Sequence, residues 1–156
     1  MKRVIIVFFV VCLMLISCED PATRYLSVPV NTGMVSVDDD FRDEIKYARI
    51  VSTTKGIDRY GFRDCKNLTK VTIEDGPTII GEHAFEGCEK LYRIFIPKSI
   101  NSIGAYAFHD CRNLDVIHYD GTKEEWEEIS KDENWKDPER TCTIYYSYSY
   151  TTSEVI

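Results

Sequence analysis

The chain has 156 residues, 44% of them hydrophobic and 29% charged, with 26 acidic side chains against 19 Lys and Arg for a net charge of −7. That balance suits one folded domain and does not suit a disordered chain. With no Lys- or Arg-rich run anywhere, it also argues against nucleic acid or anionic lipid headgroups as partners, since both require positive surface.

The segment 1–17 stands apart from that domain. Lys2 and Arg3 precede an uninterrupted apolar run over positions 4–16. A bilayer-spanning helix needs about 20 apolar residues, so this run reads as an export signal. The stretch that ends it, Leu15, Ile16, Ser17 and Cys18, resembles the lipobox of bacterial lipoproteins. The resemblance implies cleavage before Cys18 and a diacylglyceryl group on its thiol, and so a membrane partner reached through an N-terminal lipid anchor. A thiolate is a strong nucleophile, which suits it to acceptance of the lipid. Each buried methylene of an acyl chain contributes about 0.8 kcal/mol, enough for two or three chains to hold a protein stably. Removal of the signal takes Lys2 and Arg3 and leaves 17 basic against 26 acidic side chains, a net −9.

The segment 18–40 contains Pro21, Pro29, Gly33 and the run Asp38, Asp39, Asp40, and reads as a flexible tether between anchor and domain. Over 41–56, Phe41, Ile45 and Ala48 fall at helical spacing behind aspartates suited to a helix start. This predicts a short helix serving as N-terminal cap or partial repeat.

From 57 to 121 the chain repeats itself at a constant step of 23, the interval from Ile57 to Ile80 and again from Ile80 to Ile103. Phe62, Phe85 and Phe108 keep that step, then Cys65, Cys88 and Cys111, then Leu68, Leu91 and Leu114. Val71, Ile94 and Ile117 follow, with Ile73, Ile96 and Tyr119 beside them. Six apolar columns in one register signal a solenoid, in which each repeat buries its apolar side against its neighbours. The copy IGEHAFEGCEKLYRIFIPKSI at 80–100 resembles the leucine-rich repeat of the BspA type, with its Ala-Phe, Cys and Ile-Pro steps in place. In the first copy Asp58 replaces the glycine seen as Gly81 and Gly104, and Gly61 replaces Ala84 and Ala107. Asp58 is expected to take a left-handed turn position, which Asp tolerates better than most residues. The predicted fold is α/β: a short right-handed leucine-rich-repeat solenoid of about three and a half repeats, with one parallel strand per repeat, tight turns and brief helical segments.

Beyond Gly121 the pattern changes. Thr122 and Glu125 have capping-box spacing, which starts a helix near Lys123. Trp126 and Ile129 lie on one side of it, placed to close the open end of the stack, and Cys142, Ile144 and Tyr146 fit a last short strand. The segment 122–146 is thus the C-terminal cap. The tail 147–156 alternates Tyr with Ser, a pattern compatible with an added edge strand or with a dangling end.

No arrangement in the chain argues for catalysis or a cofactor. Cys65, Cys88 and Cys111 form a ladder with one rung per repeat. Neighbouring strands stand about 4.8 Å apart, within disulfide reach, but identical side chains stacked one above another seldom meet the required dihedral. Free thiols acting as small apolar core residues are the favoured reading. Three sulfurs in a line make no tetrahedral metal site. His83, His109 and His118 read as surface histidines, and no nucleophile motif is present.

Binding has a better basis. If Ile94 and Ile96 face the core, Arg93, Phe95 and Pro97 face outward. The same offset gives Lys70, Thr72 and Glu74 in the first copy and Val116, His118 and Asp120 in the third. An outward phenylalanine flanked by arginine is the composition of an interface hot spot, the alternative being an isolated exposed apolar side chain. The candidate protein-binding residues are Lys70, Thr72, Tyr92, Arg93, Phe95 and His118. The family resemblance implies an adhesive surface protein, attached to the bacterial envelope at the outer membrane or cell surface, whose partner is a host matrix protein or another cell. The alternative is a structural role beside a neighbouring envelope protein.

Overall fold

In the segment Lys70, Val71, Thr72, Ile73 the apolar residues alternate with polar ones, the period of a strand with one face buried. Recurring once per repeat, such a strand stacks on its own copies. A computed structural model describes residues 25–28 and 33–147, with the backbone alone for 25–28. It shows a parallel β-solenoid of about five turns. One sheet holds β1 (Tyr25–Val28), β3 (Tyr47–Ile50), β5 (Lys70–Ile73), β7 (Arg93–Pro97), β9 (Val116–Asp120) and β11 (Thr143–Tyr146) in that order. The second is narrower: β2 (Met34–Val35), β4 (Gly56–Ile57), β6 (Ile79–Ile80), β8 (Ser102–Ile103) and β10 (Ser130–Lys131). Every pairing is parallel, and the register keeps equivalent residues side by side, as in Lys70, Arg93 and Val116.

The core lies between the two sheets. Phe62, Phe85 and Phe108 stack with centroids 5.2 and 5.3 Å apart, fully enclosed by the isoleucine and leucine columns. The cysteine ladder is free: no disulfide occurs among the described residues. Its thiols tie one coil to the next, Cys88 Sγ donating to the Phe62 carbonyl at 3.0 Å and Cys111 Sγ to that of Phe85 at 3.1 Å. Burial pushes both thiols well above the usual range, which keeps them protonated donors. Cys65 is shifted the other way, first by its hydrogen bond with Cys88 and then by the Arg42 guanidinium.

The N-terminal part departs from expectation. The segments 25–28 and 34–35, read above as tether, are strands of the solenoid. No helix joins Phe41, Ile45 and Ala48. A single 3-10 turn at Asp39–Phe41 leads into β3, where Ala48 and Ile50 point inward with Arg49 exposed between them. The apolar columns explain why. Ile45, Ala48 and Ile50 stand one full repeat before Leu68, Val71 and Ile73, so pairing with β5 overrides the local helical spacing. This coil is disguised because Arg42 stands at the cysteine position. Its guanidinium bonds the Tyr60 and Arg63 carbonyls.

Two further expectations change. Asp58 is not left-handed; among the described residues the non-glycine positions with positive φ are Tyr60, Asp64, His83, Tyr106 and Asp110. Gly81 and Gly104 are needed for close approach instead, since a Cβ there would lie 2.8 and 2.6 Å from the backbone nitrogens of Arg59 and Glu82 in the preceding coil. The brief helical segments are turns, and one helix stands among the described residues, α1 (Lys123–Glu128).

That helix begins as its sequence requires. Thr122 Oγ accepts from the Glu125 amide and Glu125 returns the bond to the Thr122 amide at 2.8 Å. Trp126 and Ile129 are buried beneath it. Trp135 completes the cover, edge-on to Phe108 and to Trp126, while its carbonyl accepts from the Phe108 amide at 2.8 Å. The signal at 1–17, the lipid site Cys18 and the tail beyond Ser147 lie outside the described residues.

Candidate functional site

The candidate binding residues meet on the outer face of the six-stranded sheet. In-register pairing places Arg49, Thr72, Phe95, His118 and Tyr145 in one column across β3 to β11. Beside it run Tyr47, Lys70, Arg93 and Val116. Stacking at the strand spacing turns the first column into an aromatic ladder. The Phe95 and His118 rings lie 4.6 Å apart and 7° from parallel, and His118 and Tyr145 lie 5.3 Å apart at 21°.

Positive charge borders this ladder. Lys70 Nζ sits 5.0 Å from the Phe95 ring centroid, and the Arg93 guanidinium lies 5.5 Å from that of Tyr92. Tyr92 precedes β7 and is 42% exposed, so it adds an apolar shelf beside the sheet. Among the described residues neither Lys70 nor Arg93 has a carboxylate within ion-pair distance. Two buried nitrogens on the face lack a hydrogen-bond partner, Arg93 Nε and His118 Nε2. Partial burial lowers the His118 pKa, and the Arg93 and Lys70 charges lower it further.

A groove of about 440 Å³ runs along the strand ends beside the ladder. Phe95, His118 and Tyr145 form one wall, and Pro97, expected to face outward, is buried in it. Glu74, Asp75 and Asp120 border it, and the first and last are engaged. Glu74 binds Arg49 at 2.5 Å and the Ser52 amide at 3.0 Å, and Asp120 accepts from Ser147 Oγ at 2.6 Å.

The sequence reading missed Tyr145. The step from His118 to Tyr145 is longer than the step within the array, because the cap helix inserts extra chain before β11. The pairing of Ile144 with Ile117 and of Tyr146 with Tyr119 was the available signal. A second ladder was also missed. Tyr60, His83 and Tyr106, one repeat apart on the turns after the short strands, stack at 5.0 and 5.1 Å. Here the charges are matched: Arg59 meets Glu82 at 3.2 Å, Arg63 meets Glu86 at 2.9 Å, and His83 Nδ1 meets Glu86 at 3.0 Å. No group of His, Cys, Asp and Glu among the described residues could hold a metal ion.

The family model described as BspA type leucine-rich repeat region, itself a model of six copies, matches residues 41–132. The chain belongs to that family. The match begins upstream of residue 57, in agreement with the early coil at β3. This BspA-type array is also similar in fold to a solved structure, a leucine-rich cell surface protein from Faecalibacterium prausnitzii A2-165, with a TM-score of 0.51 and 24% identity. The likeness covers 74% of this chain and 36% of the other, so the present chain spans about a third of that protein's length. No curated protein matches.

Proposed function

We propose that this BspA-type protein is a lipid-anchored component of the bacterial envelope, exposed at the cell surface, that binds another protein through the outer face of its six-stranded sheet. The observation that carries the reading is the pairing of unmet polar groups with aromatic surface. Arg93 Nε and His118 Nε2 are buried without partners beside the Phe95, His118 and Tyr145 ladder. Both atoms are closed off from outside, so what a partner meets is the charge of Lys70 and Arg93, which have no carboxylate within ion-pair distance among the described residues. Aromatic and arginine side chains supply most of the energy at protein interfaces. Adhesion to host or other cells is the role that such a surface, displayed on a lipid anchor, would serve. The resemblance of Leu15, Ile16, Ser17 and Cys18 to a lipobox supports the anchor, and the cell-surface neighbour is in keeping with the location.

Protease added to intact cells tests exposure: loss of the protein is expected, and survival would place it inside the envelope. Fatty-acid labelling is expected for the wild type and absent for Cys18→Ser. The full chain would then be offered host matrix proteins and envelope extract, with Phe95→Ala/Arg93→Ala as control. Capture of a host protein that the double substitution abolishes is expected. Retention by envelope extract alone would return the reading to a structural role.

A further inference from the structure

Resting on that reading, the chemistry of the face specifies its partner further. Three nitrogen-bearing side chains, Lys70, Arg93 and His118, sit on successive strands β5, β7 and β9, around the Phe95 ring. Successive rungs are about 4.8 Å apart, so the three span roughly 10 Å along the solenoid axis. The protein as a whole is acidic, at −7. The face runs against that charge at its centre, where Lys70 and Arg93 stand, while at its border Arg49 neutralises Glu74 and Asp75 and Asp120 keep their charge. Lys70 and Arg93 have no carboxylate within ion-pair distance among the described residues. Unmatched donors beside an exposed aromatic surface fit a ligand that brings carboxylates and apolar groups together.

We propose that the partner segment is an acidic stretch of polypeptide lying along the solenoid axis, with its carboxylates on Lys70, Arg93 and His118 and an apolar side chain against Phe95. In an extended peptide, side chains on one face repeat about every 6.6–6.8 Å. Two acidic residues separated by one other therefore reach from the Lys70–Arg93 pair to His118. Guanidinium–carboxylate bonds are charge-assisted and stronger than neutral ones, which makes Arg93 the anchor.

The arrangement carries a pH signature. Phe95 from β7 and Tyr145 from β11 cover the His118 ring, Arg93 and Lys70 are the charges that act on it, and of the carboxylates bordering the groove Glu74 pairs with Arg49 while Asp75 and Asp120 stand at its rim. With no partner, these surroundings hold the imidazole neutral at neutral pH. A bound carboxylate reverses the local charge and favours the imidazolium. Binding therefore takes up a proton, and affinity rises as the pH falls through the histidine range. Peptide carboxylates, with reference values of about 4, stay largely ionised above about pH 5.

The test uses the full chain in neutral detergent and three probes: a labelled peptide whose alternate positions read Glu, Glu and Val with Ser between them, its counterpart with Gln for Glu, and a sulfated oligosaccharide. Binding is read by anisotropy at about pH 5.5 and about pH 7.5. The acidic peptide should bind roughly tenfold or more tightly than the Gln counterpart, and several-fold more tightly at the lower pH. Arg93→Gln should lose about tenfold, while His118→Phe, which keeps the stack, should abolish the pH response. Lys66→Gln, an exposed change off this face, serves as the control. Equal binding of the two peptides, a pH response that survives His118→Phe, or a site taken by the oligosaccharide and not the peptide would each overturn the proposal. If a protein partner bound through Phe95 and Arg93 is not displaced by the acidic peptide, the acidic-segment proposal fails and the protein-binding face stands.

Discussion

Two aromatic ladders climb the outside of this solenoid with the same step and opposite electrostatics. On the turns, Tyr60, His83 and Tyr106 stack among Arg59, Arg63, Glu82 and Glu86, which neutralise one another. On the broad sheet, Phe95, His118 and Tyr145 stack beside Lys70 and Arg93, which have no carboxylate within reach among the described residues. A repeating chain makes ladders wherever a column holds rings, so stacking alone does not distinguish a brace from a binding face. The neighbouring charges do. The turn ladder is also strained: its residues have φ of 60°, 55° and 55°, the left-handed region. Such a conformation costs about 1–3 kcal/mol per residue, and an aromatic pair returns about 0.5–1.5 kcal/mol. Three such residues cost roughly 3–9 kcal/mol and two stacked pairs return about 1–3 kcal/mol, so the stack offsets part of the strain, as a structural brace should. The sheet ladder carries no such strain.

That contrast can be broken at several levels. The largest effect should come from the phenylalanine column inside the core: Phe85→Ala should cost about 3–5 kcal/mol by denaturant unfolding, because the cavity cannot collapse between stacked coils. Next, His83→Ala should lose about 2 kcal/mol by removing two stacks and leaving the strained backbone. His83→Gly should lose less, since glycine adopts positive φ without penalty. If Ala and Gly are equally costly, strain is not what the turn ladder offsets. Phe95→Ala should cost under about 1.5 kcal/mol of stability, its loss appearing in partner binding instead. A large drop in stability would mark the sheet ladder as a second brace.

The smallest effect is a dependence on acidity. Partial burial and the nearby cations set the folded-state pKa of His118 below the unfolded value of 6.5. The unfolded chain then binds the proton more readily, so stability falls as the pH drops below 6.5 and levels off beneath the folded value. His118→Phe should flatten that part of the profile in thermal melts. An unchanged slope would assign it to another group.

Much of the array was legible before any fold was at hand. Phe62, Cys65 and Leu68 and their copies can be read as columns because each rung buries the same side chains against the same neighbours. The Thr122 capping box was equally plain, since its bonds close within a single helical turn. The coil at β3 was hidden because Arg42 replaces the cysteine, so local spacing suggested a helix. Of the candidate face, Lys70, Thr72, Arg93, Phe95 and His118 follow from strand alternation, and the structure brings them onto one face. Tyr145 does not follow, because the cap lengthens the step before it.

The sequence by itself determined the repeat, the parallel stacking, the buried columns and the place where the array closes, all of which rest on apolar spacing and local hydrogen bonds. Only the tertiary structure decided how many coils there are, which rings stack on which, and which charges find partners. Pairing between strands is non-local. Tyr25 with Tyr47, Lys70 with Arg93 and His118 with Tyr145 are separated by unequal stretches of chain, yet each pair lies one rung apart in space. Only the folded register shows whether the neighbour on that rung brings a carboxylate or leaves a cation unmatched.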